Sequence, residues 1–163
     1  MSDKPNNTNH GPDSLNEIPS VDWLDLERNR DKFFKDLRYA LEECGFLILI
    51  NAPGFEDEFQ QRAFTEVRKF FDSPMDFKQA SSIANSPYVR GYSSPRPPDS
   101  GRAQVIESFQ YGFDEAPLCA HDDESQPIHE RFFRGPNTWP DSERLPGFKP
   151  TLNELNSAYH RLT

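Results

Sequence analysis

A helical stripe that runs without a linker into a wholly apolar pentapeptide constrains this chain more than any other feature. Phe33, Phe34, Leu37, Ala40, Leu41 and Cys44 recur at i, i+1, i+4, i+7, i+8 and i+11, one continuous helix face. Asp31 is placed to cap the start, and Gly45 stands where a left-handed residue would end the helix. "FLILI" (46–50) follows at once, bounded by Gly45 and "NAPG". A continuous apolar run so bounded reads as a strand covered on both faces.

The flanking segments extend this pattern. "IPSVDWLDL" alternates apolar and polar residues and predicts a short strand near 18–23, with a loop through "ERNR". A second helix is expected from about Glu56 to Phe71, with Phe59, Ala63, Val67, Phe70 and Phe71 on its buried stripe. Asp57 and Glu58 suit its N-terminal dipole, and Pro74 stops it. Strand, helix, strand, helix is an α/β (α+β) layer.

Beyond it the chain loses periodicity. The proline-rich "SIANSPYVRGYSSPRPPDSGR" reads as a long loop, of the kind that often carries function. "AQVIESFQYGF" predicts a strand with Val105, Glu107, Phe109 and Tyr111 on one face. "IHERFFRG" suggests one or two helical turns, with Ser125 or Gln126 before Pro127 at the start and Gly135 at the end. Leu152, Leu155, Tyr159 and Leu162 mark a final helix. Residues 1–17 are polar and expected to form a disordered tail, leaving 18–163 as the domain.

Composition narrows the function classes. Apolar residues make up 34% of the 163, and the mean hydropathy is −0.84; a soluble domain has roughly 45–50% apolar content, glycine included. Such a chain is expected to lean on a second half or a partner to cover its apolar faces. A net charge of −9 without a lysine or arginine block repels phosphate backbones, which argues against nucleic acid. "FLILI" is far shorter than the ~20 residues that span a bilayer, and residues 1–17 hold no apolar stretch of a signal peptide. Cys44 and Cys119 match no zinc or disulfide framework, so a reduced, cytoplasmic setting is expected. No internal repeat, phosphate-cradling glycine loop or nucleophile elbow is present.

One motif suggests metal chemistry. His121-x-Asp123, with His160 near the end, has the residue types of a two-histidine, one-carboxylate iron site. On a strand, i and i+2 point the same way, which is why that spacing can ligate. "AHDDESQP" has no strand character, however, and His160 falls on a predicted helix. His121 and Asp123 are therefore read as solvated loop residues, and no metal, catalytic or cofactor-binding residue is assigned. His10 and His129 read as surface histidines, and Cys44 as core.

Six landmarks occur in a fixed order: "IPSVDWLDL", "ALEECGFLILIN", "KFFDSPMDFK", "RGYSSP", "ESFQYG" and "GPNTWPDSERLPGF". Together they resemble the N-terminal region of the isopenicillin N synthase-like, iron(II)- and 2-oxoglutarate-dependent dioxygenases, over nearly everything from residue 18. One departure is Asn51-Ala52-Pro53-Gly54, where the family usually has Asn-His-Gly. The resemblance implies a helix-and-strand layer that normally packs on a C-terminal double-stranded β-helix (a jelly-roll), which this chain lacks. It also implies that the His-x-Asp pair, the distal His and the 2-oxoglutarate-gripping arginine follow "GPNTWPD…LPGF". The chain alone is then expected to be inactive and to bind neither iron(II) nor 2-oxoglutarate.

What this half would supply is substrate contact. In related enzymes the segment around "RGY" can line the pocket. Arg90 could pair with a substrate carboxylate and Tyr92 could stack or donate a hydrogen bond; alternatively Gly91-Tyr92 anchors the loop on the sheet. Glu107 is expected to satisfy backbone donors or an arginine. Two readings follow: the N-terminal part of an oxidoreductase acting on a small molecule, cut short, or a non-catalytic interaction module. Self-association through an exposed sheet edge is expected.

Overall fold

The computed structural model describes residues 18–95 and 106–162; the expected tail at 1–17 and the strand position of Val105 lie outside them. The chain divides into two compact units, Met1–Glu56 and Asp57–Thr163.

The first unit is a βαβ arrangement. Strands β1 (Ser20–Asp22) and β2 (Ile48–Ile50) pair in parallel, Val21 opposite Leu49. Helices α1 (Asp25–Arg28) and α2 (Arg30–Tyr39) form the crossover. Asp22 Oδ1 accepts from Leu24 N at 3.0 Å and from Asn51 Nδ2 at 2.8 Å, tying the ends of both strands together. "ERNR" is thus not a loop: α1 and α2 meet at Asn29. The cap of α2 is Asn29 and not Asp31, because its side chain accepts from Lys32 N at 3.2 Å, while Asp31 sits inside the first turn.

The helix end also differs. α2 opens into a π-turn over Ala40–Cys44, closed by Gly45 N donating to the Ala40 carbonyl at 2.9 Å. Gly45 then adopts φ +76°, the left-handed ending its sequence position predicts. The unit's core is Val21, Phe33 and Ala40, with Trp23, Leu26, Leu37, Leu47 and Leu49 packed against it. Phe34 and Leu41 fall outside it and stay exposed. The expectation that "FLILI" is covered on both faces is also corrected. Leu47 and Leu49 point to the core, whereas Phe46, Ile48 and Ile50 remain 72%, 49% and 41% exposed. The helices of this unit cover one side of a two-stranded sheet, and strand alternation sends the other three side chains away from them.

The second unit is built on α3 (Asp57–Phe71) and α6 (Phe148–His160), which pack together. Phe70 is wholly buried at the centre, stacked on Phe148 at 4.8 Å and edge-on to Tyr92 and Phe109. Phe77, Leu145 and Leu152 complete this core. Pro74 does more than stop α3: it is the N-cap of α4 (Met75–Ala80), which a stop signal alone does not reveal. The region read as one long loop contains a 3₁₀ turn (Ile83–Asn85) and strand β3 (Gly91–Ser93). Strand β4 (Ser108–Gln110) pairs antiparallel with β3, Tyr92 opposite Phe109. Three residues are too few to show period-two alternation, so β3 leaves no pattern to read. Helix α5 (Ile128–Phe132) is capped by Pro127 itself, not by Ser125 or Gln126.

Candidate functional site

The chemistry-bearing residues of the second unit gather around β3 and β4. Tyr92 has 0% exposure, held by the aromatic core, and its hydroxyl donates to Glu107 Oε2 at 2.9 Å. Lys78, 5% exposed on α4, donates from Nζ to the same Oε2 at 2.7 Å and to the Phe71 carbonyl at 2.9 Å. One lysine thus joins the end of α3 to the approach of β4. The Lys78 ammonium, helped by the Tyr92 hydroxyl, outweighs burial and holds the Glu107 carboxyl below its usual range. Burial, with Glu107 beside it, pushes the Tyr92 phenol up to about 12. Glu107 is expected from sequence to meet backbone donors or an arginine; its partners are a lysine and a tyrosine. Lys78 is not legible in the sequence because Pro74 reads only as the stop of the preceding helix; with Pro74 as a helix start, Lys78 falls one turn along α4.

Arg90 enters from the turn preceding β3. Val89 adopts φ +55° and Gly91 φ +125°. At Gly91 any Cβ would collide with the Ser81 carbonyl, which accepts from Tyr92 N at 2.7 Å. Arg90 Nη2 donates to the Phe133 carbonyl at 2.6 Å, and the guanidinium lies so close over Gly112 that a Cβ there would be 2.7 Å from Nη2. Arg90 Nε is buried and has no hydrogen-bond partner among the described residues. Gly112 is gripped in turn by Asn137: Gly112 N donates to Oδ1 at 2.9 Å, and Nδ2 donates to the Gly112 carbonyl at 2.8 Å.

Asp114 completes the assembly. Its carboxylate accepts from Asn137 N at 3.1 Å, Trp139 Nε1 at 3.1 Å and Lys149 Nζ at 2.7 Å. Burial works to raise its pKa, but these three donors prevail and the net shift is downward. The Arg134 fork, at 3.0 and 3.1 Å, likewise lowers Glu115. Within the unusual tract "GPNTWPD", Asn137 and Trp139 therefore clamp the segment that leaves β4.

The iron-type motif is placed differently. Asp123 Oδ1 accepts from Ser125 N at 3.0 Å and Ser125 Oγ at 2.6 Å, a local turn that lowers its pKa, the hydroxyl contributing most. His121 is exposed, and its carbonyl accepts from Arg131 Nε at 2.9 Å. His160 lies on α6 with its ring edge-on to Phe113 at 5.3 Å. Among the described residues no group of three His, Cys, Asp or Glu side chains could hold a metal ion. As placed, His121, Asp123 and His160 are not gathered into one such group.

Residues 18–142 match the family described as "non-haem dioxygenase in morphine synthesis N-terminal", and the chain belongs to that family. Among curated relatives, the kihadalactone A synthase LFS of Citrus sinensis is 36% identical over 71% of this chain and 33% of its own length. The azadirone synthase LFS of Melia azedarach is 33% identical over 74% of this chain and 34% of its own. The 2-oxoglutarate-dependent dioxygenase citB of Monascus ruber is 32% identical over 80% and 39%. A full-length Neurospora crassa protein, solved as a crystal structure in complex with alpha-KG, superposes with a TM-score of 0.66 at 26% identity, over 89% of this chain and 43% of that one. The chain thus spans about a third to two-fifths of the length of these relatives. No described helix is long and apolar enough to cross a membrane.

Proposed function

We propose that this chain is the N-terminal part of a non-haem iron(II)- and 2-oxoglutarate-dependent oxidoreductase acting on a small molecule. It contributes the scaffold and a pocket-wall segment, and the metal ligands come from polypeptide outside residues 1–163. A single observation carries this reading. Four of the six landmark segments meet in the second unit through two hydrogen-bonded clusters, Lys78–Glu107–Tyr92 and Gly112–Asn137–Asp114, whereas Asp123 is taken up by its own turn. The Neurospora protein holds alpha-KG together with 5-formyluracil, which supports a small-molecule substrate here. Arg90 and Tyr92 belong to the pocket-wall segment: Tyr92 fixes it to the core, and Arg90 is its charged group. The cytoplasm is the proposed compartment.

Iron(II) binding by the 163-residue chain tests this directly. Affinity is expected to be the same in the parent and in His121→Ala, with no 2-oxoglutarate consumed. Stoichiometric, His121-dependent binding would overturn the proposal. A second reading, a non-catalytic interaction module, draws support from the exposed Phe46, Ile48 and Ile50 face. A coding sequence that continues past Thr163 into a further His-x-Asp, distal His and Arg-x-Ser favours the enzyme over the module.

A further inference from the structure

We propose that the turn Val89–Gly91 is a two-state latch, in which Arg90 swings between a closed position on Gly112 and an open position in solvent. Val89 is β-branched, and φ +55° is a backbone state that such residues rarely adopt. Strain of that kind persists only where the surroundings impose it. Here the imposing contacts lie on both sides of Val89: Tyr88 N donates to Ser86 Oγ at 3.1 Å and its ring lies against Gly135, while beyond it Arg90 Nη2 donates to the Phe133 carbonyl at 2.6 Å, Gly91 pairs with Gln110 and Tyr92 N donates to the Ser81 carbonyl at 2.7 Å. The closed position carries a second cost, because Arg90 Nε is buried without an acceptor among the described residues. Swinging outward hydrates Nε and lets Val89 relax, at the loss of the Phe133 hydrogen bond and of the attraction between Arg90 and Glu115. Two local costs thus stand against two local attractions, the kind of balance a two-state turn needs. Tyr92 is the hinge post, since its ring and hydroxyl are held by Phe70 and Glu107 in either state.

Gly112 sets the closed state. With any larger residue there, a Cβ would lie 2.7 Å from Nη2 and the guanidinium would have to leave. In the closed state Nη2 is engaged by the Phe133 carbonyl; the open state frees the whole guanidinium to meet a ligand. Meeting a ligand depends on the pocket role proposed above, whereas the latch stands on the geometry alone.

Hydrogen–deuterium exchange of the 163-residue chain, without ligand, tests the latch independently of any pocket. Gly112→Ala wedges it open with every Arg90 donor intact, and Arg90→Met removes the donors while keeping the stem. Each is expected to speed exchange of the amides at 88–93 by about 5–30-fold, the factor that one or two kcal/mol supplies. The double variant is expected to be no faster than the faster single. Val89→Asn, which tolerates the left-handed state, is expected to slow the same amides several-fold. Amides of α3 and α6 are expected not to change. The latch is overturned if Gly112→Ala leaves 88–93 unaltered, if Val89→Asn exchanges as fast as the parent, or if α3 and α6 respond as strongly as the turn.

Discussion

Lys78 is the side chain on which the second unit's polar interior depends. Its ammonium-bearing side chain is 6% exposed and satisfies the last carbonyl of α3 and the Glu107 carboxylate together. Removing it strands a carboxylate that is itself 29% exposed, so water recovers part of the loss. Lys78→Met is expected to destabilise the chain by about 1–3 kcal/mol, below the range for fully buried pairs, read as a lower urea midpoint. Tyr92→Phe leaves Glu107 its stronger donor and is expected to cost only about 1 kcal/mol. At this scale the sequence is informative about residue type and silent about partners. "RGY" marks Tyr92 and Arg90, but nothing in the spacing of Lys78 and Glu107, 29 positions apart, announces that they meet. Contacts that long-range follow from packing, which no local period encodes.

Elements with a full periodic stripe are readable, and those without one are not. α3 runs Asp57–Phe71 almost as its stripe predicts, while β3, at three residues, leaves no trace. α2 shows where local signals compete. Asn29 and Asp31 are both N-cap residue types, and the structure uses Asn29 because α1 delivers it there as its own C-cap. Asn29→Ala is therefore expected to cost about 1 kcal/mol by thermal unfolding, and Asp31→Ala only a few tenths from the dipole. The π-turn has no compositional signature, yet its exit does. Gly45→Ala forces a side chain into φ +76° and is expected to cost about 1–2 kcal/mol.

For the whole molecule, pH dependence follows from the shifted groups. Glu107 and Asp114 have folded-state pKa values below their ordinary 4.5 and 3.8. Their contribution is complete above those values and is lost as pH falls through the lower, folded-state ones. The Tyr92 phenol is shifted the other way, so its contribution is complete below pH 10 and is lost as pH rises from 10 to about 12. Unfolding midpoints are expected to fall on both limbs, and Tyr92→Phe to flatten the alkaline one. The exposed Phe46, Ile48 and Ile50 face makes concentration-dependent self-association the expected behaviour in sedimentation; Ile48→Lys is expected to reduce it. The acidic, apolar-poor composition anticipates an incompletely covered fold, but the side left open is set by strand direction, which composition does not carry. The parallel pairing of β1 with β2 has a consequence for biosynthesis. Every partner of β1 has been translated once Ile50 is added, so this βαβ unit needs no strand from the second unit to complete its pairing and can assemble before the chain beyond α3 and α4 has emerged.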